Sequence, residues 1–138
     1  MLGIQKLGLS FGVKKILEDV TFLIESGSLC VIVGQNGSGK SSLLHCLSGW
    51  NSPTKGEVLL DGRAIKSYAA NERASLLSFL PQRPKLSESI PIIDVVAAAR
   101  YRFSESPSQS RHQAKVLLQK NRLQDLMYRD WHTLSGGE

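Results

Sequence analysis

Five consecutive apolar residues, Leu29-Cys30-Val31-Ile32-Val33, run without a break into Gly34-Gln35-Asn36-Gly37-Ser38-Gly39-Lys40-Ser41. An uninterrupted apolar run of this kind is the pattern of a strand covered on both faces, so it is expected in the middle of a parallel sheet. Residues 40–49 then read as a helix with Leu43, Leu44 and Leu47 along one face. The turn between them fits G-x-x-x-x-G-K-[ST] at every fixed position and sits where that pattern works, between a buried strand and a helix. Glycines 34, 37 and 39 let the backbone take turns closed to side chains and gather successive N–H groups around an anion. The helix start adds its unpaired N–H groups and the positive end of its dipole. Lys40 supplies a mobile charge for outer phosphates, and the Ser41 hydroxyl can ligate Mg²⁺.

Composition narrows the surroundings of this turn. The chain has 138 residues, 41% hydrophobic and 21% charged, which is ordinary globular usage and excludes disorder and collagen-like repeats. No apolar run approaches the roughly 18–20 residues that cross a bilayer, and Met1 is not followed by a signal-peptide pattern. Cys30 and Cys46 form no C-x-x-C pattern, which argues against a disulfide framework or a zinc site. The net charge is +5, with ten basic and six acidic residues in 1–86 and seven and six in 87–138. No basic run reaches four residues, so no nucleic-acid partner is expected.

The rest of the chain divides near residue 87. Residues 2–9 and 19–25 read as short strands, the second with Val20, Phe22 and Ile24 alternating with Thr21, Leu23 and Glu25. Residues 57–60 read as another strand, closed by an Asp61-Gly62 hairpin turn. Residues 76–80 read as a further buried strand ended by Pro81. Residues 92–101 and 109–127 look helical, and 104–110 form a polar connector between them. The expectation is an α/β core over 1–86, part antiparallel and part parallel sheet, followed by an all-helical part over 87–138.

The last five residues, Leu134-Ser135-Gly136-Gly137-Glu138, stand 94 residues beyond Lys40 at their first member. This run resembles the signature of the ATP-binding cassette (ABC) family, and with the loop at 34–41 it makes the whole chain resemble such a cassette. Gln82, in Leu80-Pro81-Gln82, falls where the family has a glutamine that reaches Mg²⁺ and the attacking water. Phe11 falls where the family places an aromatic that stacks on adenine. The resemblance implies two cassettes facing head to tail, working with transmembrane permease subunits at the cytoplasmic face of the membrane. Each ATP then lies between Gly34, Asn36, Gly37, Ser38, Gly39, Lys40, Ser41 and Ser42 of one subunit and Ser135, Gly136 and Gly137 of the other. Lys40 and Gln82 are the expected catalytic residues, and Ser41 and Gln82 the expected Mg²⁺ ligands.

The family pattern continues with a strand ending in an Asp-Glu pair and then a switch histidine, and neither is found. Val58-Leu59-Leu60-Asp61 precedes Gln82 and reads as a hairpin, and Ile92-Ile93-Asp94 lies in the helical part. His45, His112 and His132 all precede the signature, and Glu138 belongs to it. The chain is therefore expected to be part of a longer cassette, with the C-terminal part of the fold missing, an exposed apolar edge at 29–33, weak nucleotide binding and no turnover alone.

Two stretches are similar to importers of iron-siderophore, haem and cobalamin. These are Arg73-Ala74-Ser75-Leu76-Leu77-Ser78-Phe79-Leu80-Pro81-Gln82 and Val95-Val96-Ala97-Ala98-Ala99-Arg100-Tyr101, the second with Ala99 where a glycine is usual. Ile90, Pro91 and Ile92 are candidates either for a permease-docking cleft or for internal packing. A soluble cassette acting in translation or DNA repair is the alternative, and a non-ABC phosphotransferase a third.

Overall fold

A computed structural model describes residues 1–82 and 89–135. The chain divides into two compact units, one of Met1–Ala69 with Leu76–Phe79 and the other of Ala70–Ser75 with Leu80–Glu138.

The first unit is built on a hairpin. Strand β1 (Leu2–Phe11) turns at Gly12 and returns as β2 (Lys14–Ile24), pairing Ile4 with Phe22, Leu7 with Val20 and Leu9 with Leu17. Strand β3 (Lys55–Leu60) pairs antiparallel with the other edge of β1, and β4 (Arg63–Ala64) completes the order β2-β1-β3-β4. The β3–β4 turn is Asp61-Gly62, with φ of 49° and 79°, the two positive values that a primed two-residue hairpin requires. Gly56 has φ 67° and lies so close to β1 that a Cβ there would sit 2.2 Å from the Gln5 carbonyl oxygen, which leaves glycine as the only fit.

Helix α1 (Lys40–Leu47) covers this sheet. Leu43, Cys46 and Leu47 are buried with Ile4, Leu7, Leu9, Val58 and Ile65, whereas Leu44 is 43% exposed. The buried face is thus i, i+3, i+4, and Cys46 takes the place expected of Leu44. Burial pushes the Cys46 thiol up, which keeps it a neutral packing group.

Two expected strands are corrected. Residues 29–33 belong to no strand, and Leu29, Val31 and Val33 are 92%, 70% and 84% exposed; Ile32 alone of the five packs against the core. Residues 76–80 are not a buried strand either. Helix α2 (Ala70–Leu76) runs into them, Leu77 meets the core, and Leu80 is 89% exposed. The physical reason is shared: a strand needs a neighbour, and among the described residues no parallel pairing forms.

The second unit is helical. Helices α3 (Ile92–Ala98) and α4 (Pro107–Lys120) bury Ile92, Ile93, Ala114 and Leu118 around Met127. Ile92 therefore packs inside this unit and is only 6% exposed, which corrects its candidacy for an outward cleft. The start of α3 is held by the chain that follows α4, because Ile92 N–H donates to the Arg129 carbonyl and Ile93 N–H to that of Met127, both at 3.0 Å. Helix α4 starts two residues earlier than 109 and stops at Lys120, so it takes in most of the expected polar connector. Ser106 and Gln109 form a capping box and Pro107 occupies the first helical position.

Candidate nucleotide-binding site

The loop between residue 33 and α1 is shaped by its own backbone. Asn36 and Gly37 make a turn, with Gly37 at φ 83°, and Ser38 N–H closes onto the Gln35 carbonyl at 3.2 Å. Gly39 then enters the helix from the left-handed region, at φ 92°. Here glycine is required twice over. A Cβ would lie 2.9 Å from Leu17 Cδ2 and 3.1 Å from the Ile16 carbonyl, so the loop rests directly on β2.

This contact fixes where α1 begins. Leu43 N–H makes the first helical bond, 2.8 Å to the Gly39 carbonyl, and no side chain caps the N-terminus. The first turn carries no acid, so the positive end of the helix is uncompensated from within. Lys40 curls back over the loop and its Nζ donates to the carbonyls of Gly34 and Gln35, at 2.8 and 2.7 Å. Residues 34–38 and Ser41 are exposed, while Gly39, Lys40 and Ser42 are half-buried. An ammonium, a set of unclaimed backbone N–H groups and an accessible hydroxyl therefore converge on one exposed bend. Chemically, such an arrangement can receive a polyvalent oxyanion.

Phe11 lies at the end of β1, 57% exposed, and is not a core residue. The hairpin that bears it also bears Ile16 and Leu17, on which Gly39 rests. Gln82 and Ser135 are exposed residues of the second unit, and Gly136 and Gly137 lie outside the described residues. His45 packs with Trp50 and Phe79, the ring centroids lying 5.4–5.9 Å apart, while His112 and His132 are exposed. Among the described residues no group of three or more His, Cys, Asp or Glu is placed to hold a metal. A cation here would draw its ligands from Ser41 and from the phosphates themselves, as Mg²⁺ commonly does. A separate groove of about 520 Å³ on the sheet, lined in part by Lys6, Gly8, Lys15, Lys55 and Gly56, contains no loop residue.

Sequence reasoning missed the Lys40 contacts to two loop carbonyls, which no pattern encodes. It also missed the seat of Gly39 on β2, a contact across more than twenty residues that only the fold reveals.

A glycine-rich loop opening a helix on an antiparallel sheet, in a chain that continues as a helical unit, is the pattern of a class of nucleotide-binding cassette. The sequence model of the ABC transporter family matches residues 17–138, and the chain belongs to that family. It is 36% identical over 135 residues to the hemin import ATP-binding protein HmuV of Bordetella avium, covering 97% of this chain and 52% of that protein. It is 40% identical over 134 residues to HmuV of Ruegeria sp., covering 97% and 50%. The petrobactin import ATP-binding protein FpuD of Bacillus anthracis is 31% identical over 138 residues, covering 97% and 50%. The chain thus spans about half the length of the curated relatives it matches. The fold is that of the bacterial ABC transporter cassette MJ0796, in its dimeric structure, with a TM-score of 0.79 at 23% identity over 99% of this chain and 64% of that one.

Proposed function

We propose that the chain is the nucleotide-binding part of an ABC transporter ATP-binding subunit, serving import of an iron chelate of the hemin or siderophore kind. The observation that carries the first half is the bend at Gly39, where an uncapped helix start, Lys40 and Ser41 meet. The relatives' hemin and petrobactin import roles support the second half, as do the two stretches around Gln82 and Arg100. In this reading the N–H groups of 34–42 and Lys40 Nζ hold the phosphates. The Ser41 hydroxyl takes part in holding Mg²⁺, and the Phe11 ring faces the base. The two carbonyl contacts of Lys40 are exchanged for phosphate oxygens, so the ammonium moves little. Ser135, Gly136 and Gly137 act on the nucleotide of a second cassette, and a permease anchors the pair at the cytoplasmic face. No helix among the described residues is long and apolar enough to cross a membrane, which fits a peripheral subunit.

The test of the import role is cosedimentation of the chain with vesicles carrying a hemin-importer permease, against vesicles of the same lipids without protein. Association with the first alone is the expected result. Equal sedimentation with both vesicle types would overturn the assignment of a permease partner.

A further inference from the structure

Ser135 follows a short turn that is held by one acid, Asp130. The carboxylate of Asp130 accepts from the Ser89 hydroxyl on Oδ2 and from the His132 N–H on Oδ1, the latter at 2.7 Å. Its backbone carbonyl accepts from the Thr133 N–H at 3.0 Å and from the Thr133 hydroxyl at 2.7 Å. These contacts cap the single turn Trp131–Thr133, whose first N–H groups find no acceptor inside the turn. Arg129 closes the same turn from its other end, donating to the Thr133 carbonyl at 2.9 Å. Ser89 is 41 residues away in sequence. Beside it, Pro91 bridges antiparallel to Asp130 and the Trp131 N–H donates to the Ile90 carbonyl at 3.0 Å. One carboxylate therefore joins the turn before Ser135 to the stretch that opens α3.

Burial does not account for this acid. Trp131 and Leu134 pack on the cluster of Ile92, Ile93, Ala114, Leu118 and Met127, which holds the segment to the helical unit without it. Asp130 is half-buried and Ser89 exposed, so their contact adds direction rather than apolar area. The Ser89 hydrogen bond first, and then that from His132 N–H, hold the Asp130 carboxyl below its ordinary value of 3.8. The charged form, which accepts from both sides, is thus the resident one at neutral pH.

We propose that Asp130 is the positioning residue of Ser135: by tying the Trp131–Thr133 turn to Ser89, it sets the direction from which the chain reaches that serine. The inference rests on the proposed role of Ser135 toward the nucleotide of a second cassette, and Asp130 itself touches no nucleotide. A hydroxyl that must meet a phosphate on another molecule gains from being oriented beforehand, because a mobile one has to be ordered at each encounter.

The test is amide NMR of the 138-residue chain without nucleotide, so its failure leaves the nucleotide reading standing, and that reading fails separately, by titration of the loop with Mg·ATP. Between about pH 2.5 and 6 the Ser135 amide is expected to follow the Asp130 carboxyl, with a midpoint below 3.8. Ser89→Ala should raise that midpoint toward the ordinary value, and Asp130→Asn should abolish the step. His132 and Arg129 are the other charged groups on this turn, and the facing stretch 89–93 carries none; both stay in place in these variants. A residue that only stabilised the unit would move no titration at Ser135. At neutral pH, Asp130→Ala should speed exchange of the His132 amide about fivefold, the usual size of a lost cap. Asp130→Asn, which keeps an acceptor oxygen, should restore it, with the Ala114 and Leu118 amides unchanged throughout. A Ser135 profile identical in the parent, Ser89→Ala and Asp130→Asn would overturn the proposal, as would exchange at His132 indifferent to Asp130→Ala.

Discussion

Helices α1 and α4 begin in opposite ways. The start of α4 satisfies itself: Gln109 N–H donates to Ser106 Oγ, the Gln109 side chain accepts from Ser106 N–H at 2.9 Å, and Pro107 has no N–H to satisfy. The start of α1 has a left-handed glycine, no capping side chain and no acid. Both helices face the same electrostatic demand. One meets it from within and serves as structure, with Ala114 and Leu118 buried beneath it. The other has no cap of its own and adds Lys40, and in the proposed function that unmet demand is what an anion would satisfy.

The contrast can be broken at several points. The largest effect is expected from the underside of α1, where Leu43→Ala removes a buried side chain and should cost about 2–5 kcal/mol in urea denaturation. Leu44→Ala, at a position 43% exposed, should cost far less; equal costs would mean that the helix faces the core differently. Next, Lys40→Ala should weaken Mg·ATP binding roughly ten- to hundredfold in calorimetry, the loss of a charge-assisted contact of about 1.5–3 kcal/mol. Unchanged affinity would remove the distinction between the two helix starts.

Ser106→Ala should cost about 1 kcal/mol of stability through the lost cap and leave nucleotide affinity untouched. An altered affinity would show that α4 is not purely structural. The smallest effect concerns the loop before α4. Glu105 is held below its ordinary value of 4.5, first by the hydrogen bond from Arg100 and also by that from Ser110. Its folded form therefore binds a proton less readily than the unfolded chain. The stabilisation is complete above the unfolded value and is lost as pH falls through the lower, folded one. Stability curves between about pH 3 and 6 should be flatter for Glu105→Gln than for the parent.

Much of this was legible in the residues, and unevenly so. The first strand, the second half of β2 and the Asp61-Gly62 turn follow from local patterns, because alternation and turn chemistry act between neighbours in sequence; residues 14–18 of β2, expected outside the strand, are drawn into it by pairing with β1. The loop at 34–41 was legible for the same reason: glycine, lysine and serine at fixed offsets encode a backbone shape. Residues 29–33 and 76–80 were misread as buried strands because hydrophobicity reports a tendency to be covered, and coverage depends on a partner that no local pattern contains. The start of α4 was misread although its signal, Ser106 followed by Gln109, was present; the run of serines around it masked the capping box. The seat of Gly39 on Ile16 and Leu17 arises only when β2 folds under the loop, so the reason for that glycine is tertiary as well as local.

In the proposed function the bend from residue 34 to the first turn of α1 receives the phosphates of a nucleotide. The most direct measurement is the change in backbone amide NMR shifts when Mg·ATP is added to the chain. The expected result is that Gly34, Gly37, Gly39, Lys40 and Ser41 move most, and that Lys40→Ala needs roughly ten- to hundredfold more Mg·ATP for the same shifts. Shifts centred instead on the groove beside Lys6, Lys15 and Lys55, or no shifts at the loop at all, would contradict it.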